Sequence, residues 1–191
     1  MSQSSLPGFA PAAPTDRLFL AVFPDRETAA RLAALAASQC AHHGLRGRPL
    51  AAERFHVTLF HLGDSAGLRQ DVVDAASTAA SRVQAASFEL GFDQVASFAG
   101  RRDKLPFVLK ADGGNVALRA FHAELAAQLR EVGLGHFAGE SFEPHVTLAY
   151  DARMIAPEAV SPVRWHAGEF VLIHSLLGQT RHIPLARWTL A

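Results

Sequence analysis

His56-Val57-Thr58-Leu59 recurs, residue for residue, as His145-Val146-Thr147-Leu148, a spacing of 89 residues from position 56 to position 145. Both copies are rich in β-formers. Apolar or aromatic residues bracket them, Phe55 and Phe60 around the first and Phe142 and Tyr150 around the second, so each reads as a strand. Side chains alternate across a strand. His56 and Thr58 therefore share one face and Val57 and Leu59 the other, and the second copy repeats the pattern. One face feeds a core; the other presents an imidazole beside a hydroxyl. Two such faces across a cleft would hold two imidazoles and two hydroxyls, which suits phosphoryl transfer: one histidine as base, one as acid, and neutral donors for the phosphate oxygens.

The same shift of 89 residues sets Leu18-Phe19-Leu20 on Phe107-Val108-Leu109. It also sets a helix expected over 26–42, capped by Asp25 and stopped at Gly44, on a helix expected over 115–132. Each half reads strand, turn, helix, motif strand. The remaining expectations are a turn at Gly63-Asp64, a helix over 67–85, strands near 87–97 and 106–111, a Pro-containing loop after 150, and strands near 166–176 and 182–190. The fold class that follows is α+β: two pseudo-symmetric lobes, each an antiparallel sheet with helices on its outer face, and a cleft between them. Residues 1–15, rich in Ser, Pro, Ala and Gly, read as a disordered tail, and 16–191 as a single bilobal domain.

Composition narrows the partners. The formal net charge is zero, so no global field draws the chain to nucleic acid or membrane, and any anion site must be local. One cysteine, Cys40, excludes a disulfide framework and a cysteine zinc cluster. No apolar run reaches the length of a membrane span, and no secretory signal is read at the N-terminus. A cytoplasmic monomer is the expectation.

Taken together, Arg17-Leu-Phe-Leu-Ala-Val-Phe-Pro24, Phe55-His-Val-Thr-Leu-Phe-His-Leu-Gly63, Phe142-Glu-Pro-His-Val-Thr-Leu148 and Leu185-Ala-Arg-Trp-Thr-Leu190 resemble the 2H phosphoesterase superfamily, named for its two His-x-Thr motifs. The resemblance is to its 2′-5′ RNA ligase-like branch of RNA 2′,3′-cyclic phosphodiesterases and spans roughly 16–191. It implies hydrolysis of a 2′,3′-cyclic phosphate end to a 2′-phosphate without metal or cofactor. The substrate would be RNA bearing that end or a small cyclic nucleotide. It also implies that His56 protonates the leaving ribose oxygen and His145 activates water, with Thr58 and Thr147 on the phosphate; the identical motifs by themselves leave the two histidine roles unassigned. The chain departs from the family pattern twice. Tyr150 stands where many members have an arginine, and Arg181-His182-Ile183 where many have a tyrosine, both near the cleft.

Further residues are weaker candidates. Phe60, on the His56 face by simple alternation, could stack on a base. Arg101, Arg102 and Lys104 form a basic loop that reads equally as a solvated hairpin tip or as an RNA backbone contact, and Tyr150 is a further candidate RNA contact. His61, on the opposite face of a regular strand from His56, reads as structural. His42-His43 reads as a polar helix end rather than a metal site. His174 could line the cleft, though the structural reading is preferred, and His122 and His136 have no evident partner. The competing functions are ATP-independent 2′-5′ RNA ligation by the same residues in reverse, an RNA-end binding protein with negligible turnover, and a zinc hydrolase. The last is disfavoured by the lack of a compact ligand set in the sequence.

Overall fold

The computed structural model describes residues 12–101, 103–111, 113–139 and 141–191. In chain order the elements are β1 (Asp16–Val22), α1 (Arg26–His42), β2 (Val57–Ser65), α2 (Gln70–Ala80), β3 (Phe88–Ser97) and β4 (Leu105–Lys110). They continue with α3 (Val116–Glu131), β5 (His145–Asp151), β6 (Glu158–Ala167), β7 (Glu169–Leu176) and β8 (Arg181–Thr189). The strands run β6-β3-β4-β5-β2-β1-β7-β8, and every neighbouring pair is antiparallel. Four strands form each lobe. The lobes meet where β2 lies beside β5, through the one backbone pair Val57–Val146.

Helix α1 starts where expected because the Asp25 carboxylate accepts the Thr28 N–H at 2.8 Å, satisfying a donor the first turn leaves free. It buries Leu32, Ala36 and Cys40, one residue per turn. Helix α3 buries Leu118, Phe121, Leu125 and Leu129 in the same way. Leu18, Leu20 and Val22 of β1 and Phe107 and Leu109 of β4 meet these helices in one core. The other face of β1 and β7 carries a smaller apolar cluster, Phe19, Ala21, Val171 and Ile173, of which Phe19 lines the cleft.

Regular pairing breaks at the same place in each motif strand, and in β2 a second time, between the partners of Arg17 and Phe19. Leu20 pairs with Phe60 but Ala21 pairs with Thr58, so Leu59 is an extra residue, a β-bulge. In β5, Phe107 pairs with Ala149 and Val108 with Thr147, which makes Leu148 the matching bulge. A bulge inverts the facing of everything beyond it. Phe60 is therefore only 3% exposed and belongs to the core, which corrects the expectation that it shares the His56 face. The same inversion returns His61 and Tyr150 to the cleft side.

Further expectations change. Gly63-Asp64 is not a turn: β2 runs to Ser65, with Gly63 at φ +101° and Asp64 paired to Arg17. Helix α2 is shorter than 67–85, beginning after Gly67, whose φ of +89° is not helical. A Pro-containing loop does follow β5, over 152–157 with Pro157, but it is short: strand β6, with Pro162, begins at Glu158 on the sheet edge, where a proline costs no ladder bond. Its pairing skips from Val163 to Ala159 around Pro162. Gly168 then separates β6 from β7, which sequence alone merges into one strand. Thr15, assigned to the tail, already donates to Ser65 O and accepts from the Leu177 N–H. Residues 1–11 lie outside the described chain. Among the described residues no helix is long and apolar enough to cross a membrane.

The buried position of Phe60 predicts that Phe60→Ala lowers unfolding free energy by about 3–5 kcal/mol in urea titrations, while the KM of the folded fraction for a nucleotide substrate stays unchanged. A base-stacking role would raise KM instead.

Candidate active site

The two motifs meet in a cleft of about 600 Å³ lined by His56, Thr58, His145 and Thr147. The Val57–Val146 pair explains why. Antiparallel register about that pair sets His56 opposite Thr147 and Thr58 opposite His145, all on the face away from the core.

Both imidazoles are held in the same way. His56 Nδ1 lies 2.7 Å from the Arg54 carbonyl and His145 Nδ1 lies 2.8 Å from the Glu143 carbonyl. A carbonyl only accepts, so each Nδ1 carries the proton and donates it. Each Nε2 is left as the free nitrogen, able to take or give a proton. Arg54 and Glu143 are themselves related by the repeat. The chain turn just ahead of each motif, a short 3-10 turn over Ala52–Arg54 in the first, thus orients its histidine.

The surroundings of the two rings differ. His56 stacks on Phe19, with centroids 4.9 Å apart and planes at 26°. Phe23 lies at 5.5 Å, and the edge of His182 at 5.5 Å. Burial, reinforced by the positive character of His182, His145 and Arg54, pushes the His56 imidazole down to about 4, against the Arg54 carbonyl, which favours the charged form. His145 sits against Phe98 at 4.8 Å. Burial lowers its pKa too, but the Glu143 carbonyl and carboxylate both oppose the shift. Lys110, ion-paired with Glu143, lies over Phe98 at 5.7 Å.

The cleft is locally cationic although the chain is neutral overall. Arg17 and Arg54 line it. Arg17 is gripped by Asp64 through two bonds of 2.7 Å, and His61 Nε2 approaches the same carboxylate at 2.9 Å. The Arg17 guanidinium holds the Asp64 carboxyl well below its ordinary range, despite partial burial. On the other wall Lys104 Nζ sits 5.2 Å above the Tyr150 ring.

Of the weaker candidates, Tyr150 is in the cleft and Phe60 is not. Arg101 is exposed and pairs with Lys104 at the β3–β4 hairpin; it is not among the cleft-lining residues. Arg102 lies outside the described residues. His174 faces the core side and is buried against Asp16. His122 does have partners: it is sandwiched between Phe60 at 4.2 Å and Phe142 at 3.8 Å, and its Nε2 reaches the carbonyl of the bulged Leu59 at 3.2 Å. His182 lines the cleft, as the resemblance implies for the 181–183 segment. Sequence reasoning missed Arg17 and Arg54 as cleft residues and misplaced His61. Alternation along β1 could have found Arg17, two positions from Phe19.

The family model described as the 2′-5′ RNA ligase superfamily matches residues 24–178. An RNA 2′,3′-cyclic phosphodiesterase of Escherichia coli (strain K12) is 30% identical over 149 residues, covering 75% of this chain and 80% of that protein. The crystal structure of E. coli LigT in apo form superposes with a TM-score of 0.72 at 27% identity, covering 94% of this chain and 99% of that one. LigT complexed with 3′-AMP gives 0.68 at 27% identity over the same shares of the two chains.

His56 and His122, both pushed to about 4 mainly by burial, stay neutral in the fold, whereas unfolded histidines protonate near the ordinary value of about 6.5. The unfolded state binds more protons in that window. The stability these groups contribute is therefore complete above about pH 6.5 and is lost as pH falls toward 4. Urea midpoints measured from pH 7 to 4 should decline accordingly, and His122→Phe, which keeps the stack without titrating, should flatten the decline. An NMR titration placing His56 near 6.5 would contradict the shift.

Proposed function

Because the chain belongs to the 2′-5′ RNA ligase superfamily of 2H phosphoesterases, we propose that it is a metal-independent RNA 2′,3′-cyclic phosphodiesterase that opens the cyclic phosphate to a 2′-phosphate. The observation that carries the reading is the matched pair of imidazoles in one cleft, each with Nδ1 committed to a carbonyl and Nε2 free. The E. coli relative named for this activity supports the substrate class, and LigT complexed with 3′-AMP supports a cleft that takes a nucleotide.

In the proposed reaction water attacks phosphorus, the P–O3′ bond breaks, and the ribose O3′ takes a proton. His145 Nε2 removes the proton from water and His56 Nε2 supplies the one O3′ receives. Thr58 and Thr147 hydroxyls donate to the non-bridging oxygens as charge builds there. Arg17 and Arg54 add positive charge on the first-motif side of the cleft, and Tyr150 with Lys104 forms the facing wall. With an arginine absent at position 150, those two guanidiniums become the proposed phosphate cations of this chain. In the free protein both histidines titrate below their ordinary value. A bound phosphate's negative charge favours the imidazolium, so that His56 Nε2 takes up a proton from solvent when substrate binds.

Hydrolysis of a nucleoside 2′,3′-cyclic phosphate in excess EDTA tests the reading. Wild type should release the 2′-phosphate isomer, resolved by phosphorus NMR. His56→Ala and His145→Ala should each lose about 10²–10⁴-fold in kcat/KM. Thr58→Val or Thr147→Val should lose about 10²–10³-fold, and the serine variants much less. Activity that vanishes with EDTA, or that survives both histidine changes, overturns the proposal.

The pH profiles give a second check. Because kcat/KM reports the free enzyme and kcat the complex, the kcat optimum should lie at higher pH than that of kcat/KM. Coincident optima would mean that bound phosphate does not raise the histidine pKa values.

A further inference from the structure

Away from the cleft, the last residue of α1, its cap and the first residue of β6 converge. His42, His43 and Glu158 each offer one donor atom, and these atoms all lie within 4.8 Å of one another. His42 Nε2 is 3.5 Å from one Glu158 oxygen and His43 Nε2 is 3.7 Å from the other. Both separations are longer than a good hydrogen bond. They are close to the edge of a tetrahedron built on metal bonds of about 2.0–2.2 Å, which is roughly 3.3–3.6 Å.

A second observation comes from His43 itself. Its side chain is only 12% exposed, and its Nε2 is shielded from water with no hydrogen-bond partner among the described residues. Leaving a ring nitrogen in that state is unfavourable unless something satisfies it. The ring is wedged edge-on against Phe107, and the carbonyl of His43 accepts a bond from Arg153 Nη1, so its backbone is anchored. The other two side chains are more open to solvent, His42 at 61% and Glu158 at 46% exposure.

We propose that His42, His43 and Glu158 form a site for a divalent transition-metal ion of the zinc class. Two imidazoles and a carboxylate with a solvent-facing fourth position suit zinc. The ion would clip the C-terminal end of α1 to the start of edge strand β6. Two segments far apart in sequence would be closed into a loop, and such clips act chiefly by restricting the unfolded chain. The role is structural, because none of the three residues lines the cleft.

The test is titration of tag-free, EDTA-stripped and desalted protein with zinc chloride by calorimetry. Wild type should bind one equivalent at micromolar zinc, and so should the double variant His56→Ala/His145→Ala. His42→Ala and Glu158→Gln, both at exposed side chains, should lose that equivalent while keeping wild-type turnover in EDTA. Zinc at 100 times its Kd should raise wild-type Tm by about 5–10 °C and leave both variants unmoved. Cobalt(II) should give visible absorption of tetrahedral type in wild type alone. Failure of wild type to bind zinc overturns the proposal. So does an equivalent that survives His42→Ala and Glu158→Gln, or one that disappears with the two cleft histidines.

Discussion

The pairing of Val57 with Val146 is the contact on which the site depends. The cleft lies where two four-stranded halves of one eight-stranded sheet join edge to edge at their motif strands. The register at this short junction keeps both motifs facing the cleft. A one-residue slip would turn one histidine and threonine into the core. Val57 and Val146 are fully buried, so the apolar faces of the motifs oppose such a slip.

On that frame, symmetry supplies the chemistry and asymmetry tunes it. The repeat provides each half with an imidazole, a hydroxyl, a carbonyl two residues upstream to fix the ring, and a bulge one residue past the threonine. The bulges matter because they bring a fifth-position residue back to the cleft, His61 in one lobe and Tyr150 in the other. Divergence begins at those positions. The first lobe builds a charged cluster from His61, Asp64 and Arg17; the second places an aromatic ring under a lysine. His56 lies among Phe19, Phe23 and His182, whereas His145 has a carboxylate nearby. Two rings in identical tetrapeptides therefore sit in different surroundings, although burial lowers the pKa of both.

The bulge at Leu59 also ties the cleft to the core. Phe60, turned inward, stacks on His122, whose Nε2 donates to the Leu59 carbonyl. Phe142, just ahead of the second motif, covers the other side of His122. One half-buried imidazole on α3 thus braces both motifs. Its neutrality at physiological pH follows from burial, and acidification loosens the same brace.

The sequence by itself determined the repeat, the α+β class, most element positions and the four motif residues of the candidate site. These follow from periodicity, capping and an exact tetrapeptide, all of which are local. What only the tertiary structure decided is what lies beyond local reach. Bulges at Leu59 and Leu148 overturned strict alternation, sending Phe60 inward and His61 outward, because a bulge is set by pairing with the neighbouring strand. Pro162 disguised β6 until its place at the sheet edge made a proline harmless. Arg17 and Arg54 joined the cleft from separate elements, and Glu158 met His42 and His43 across more than 100 residues of chain. In each case the deciding contact joins residues distant in sequence, and no pattern within a single segment encodes it.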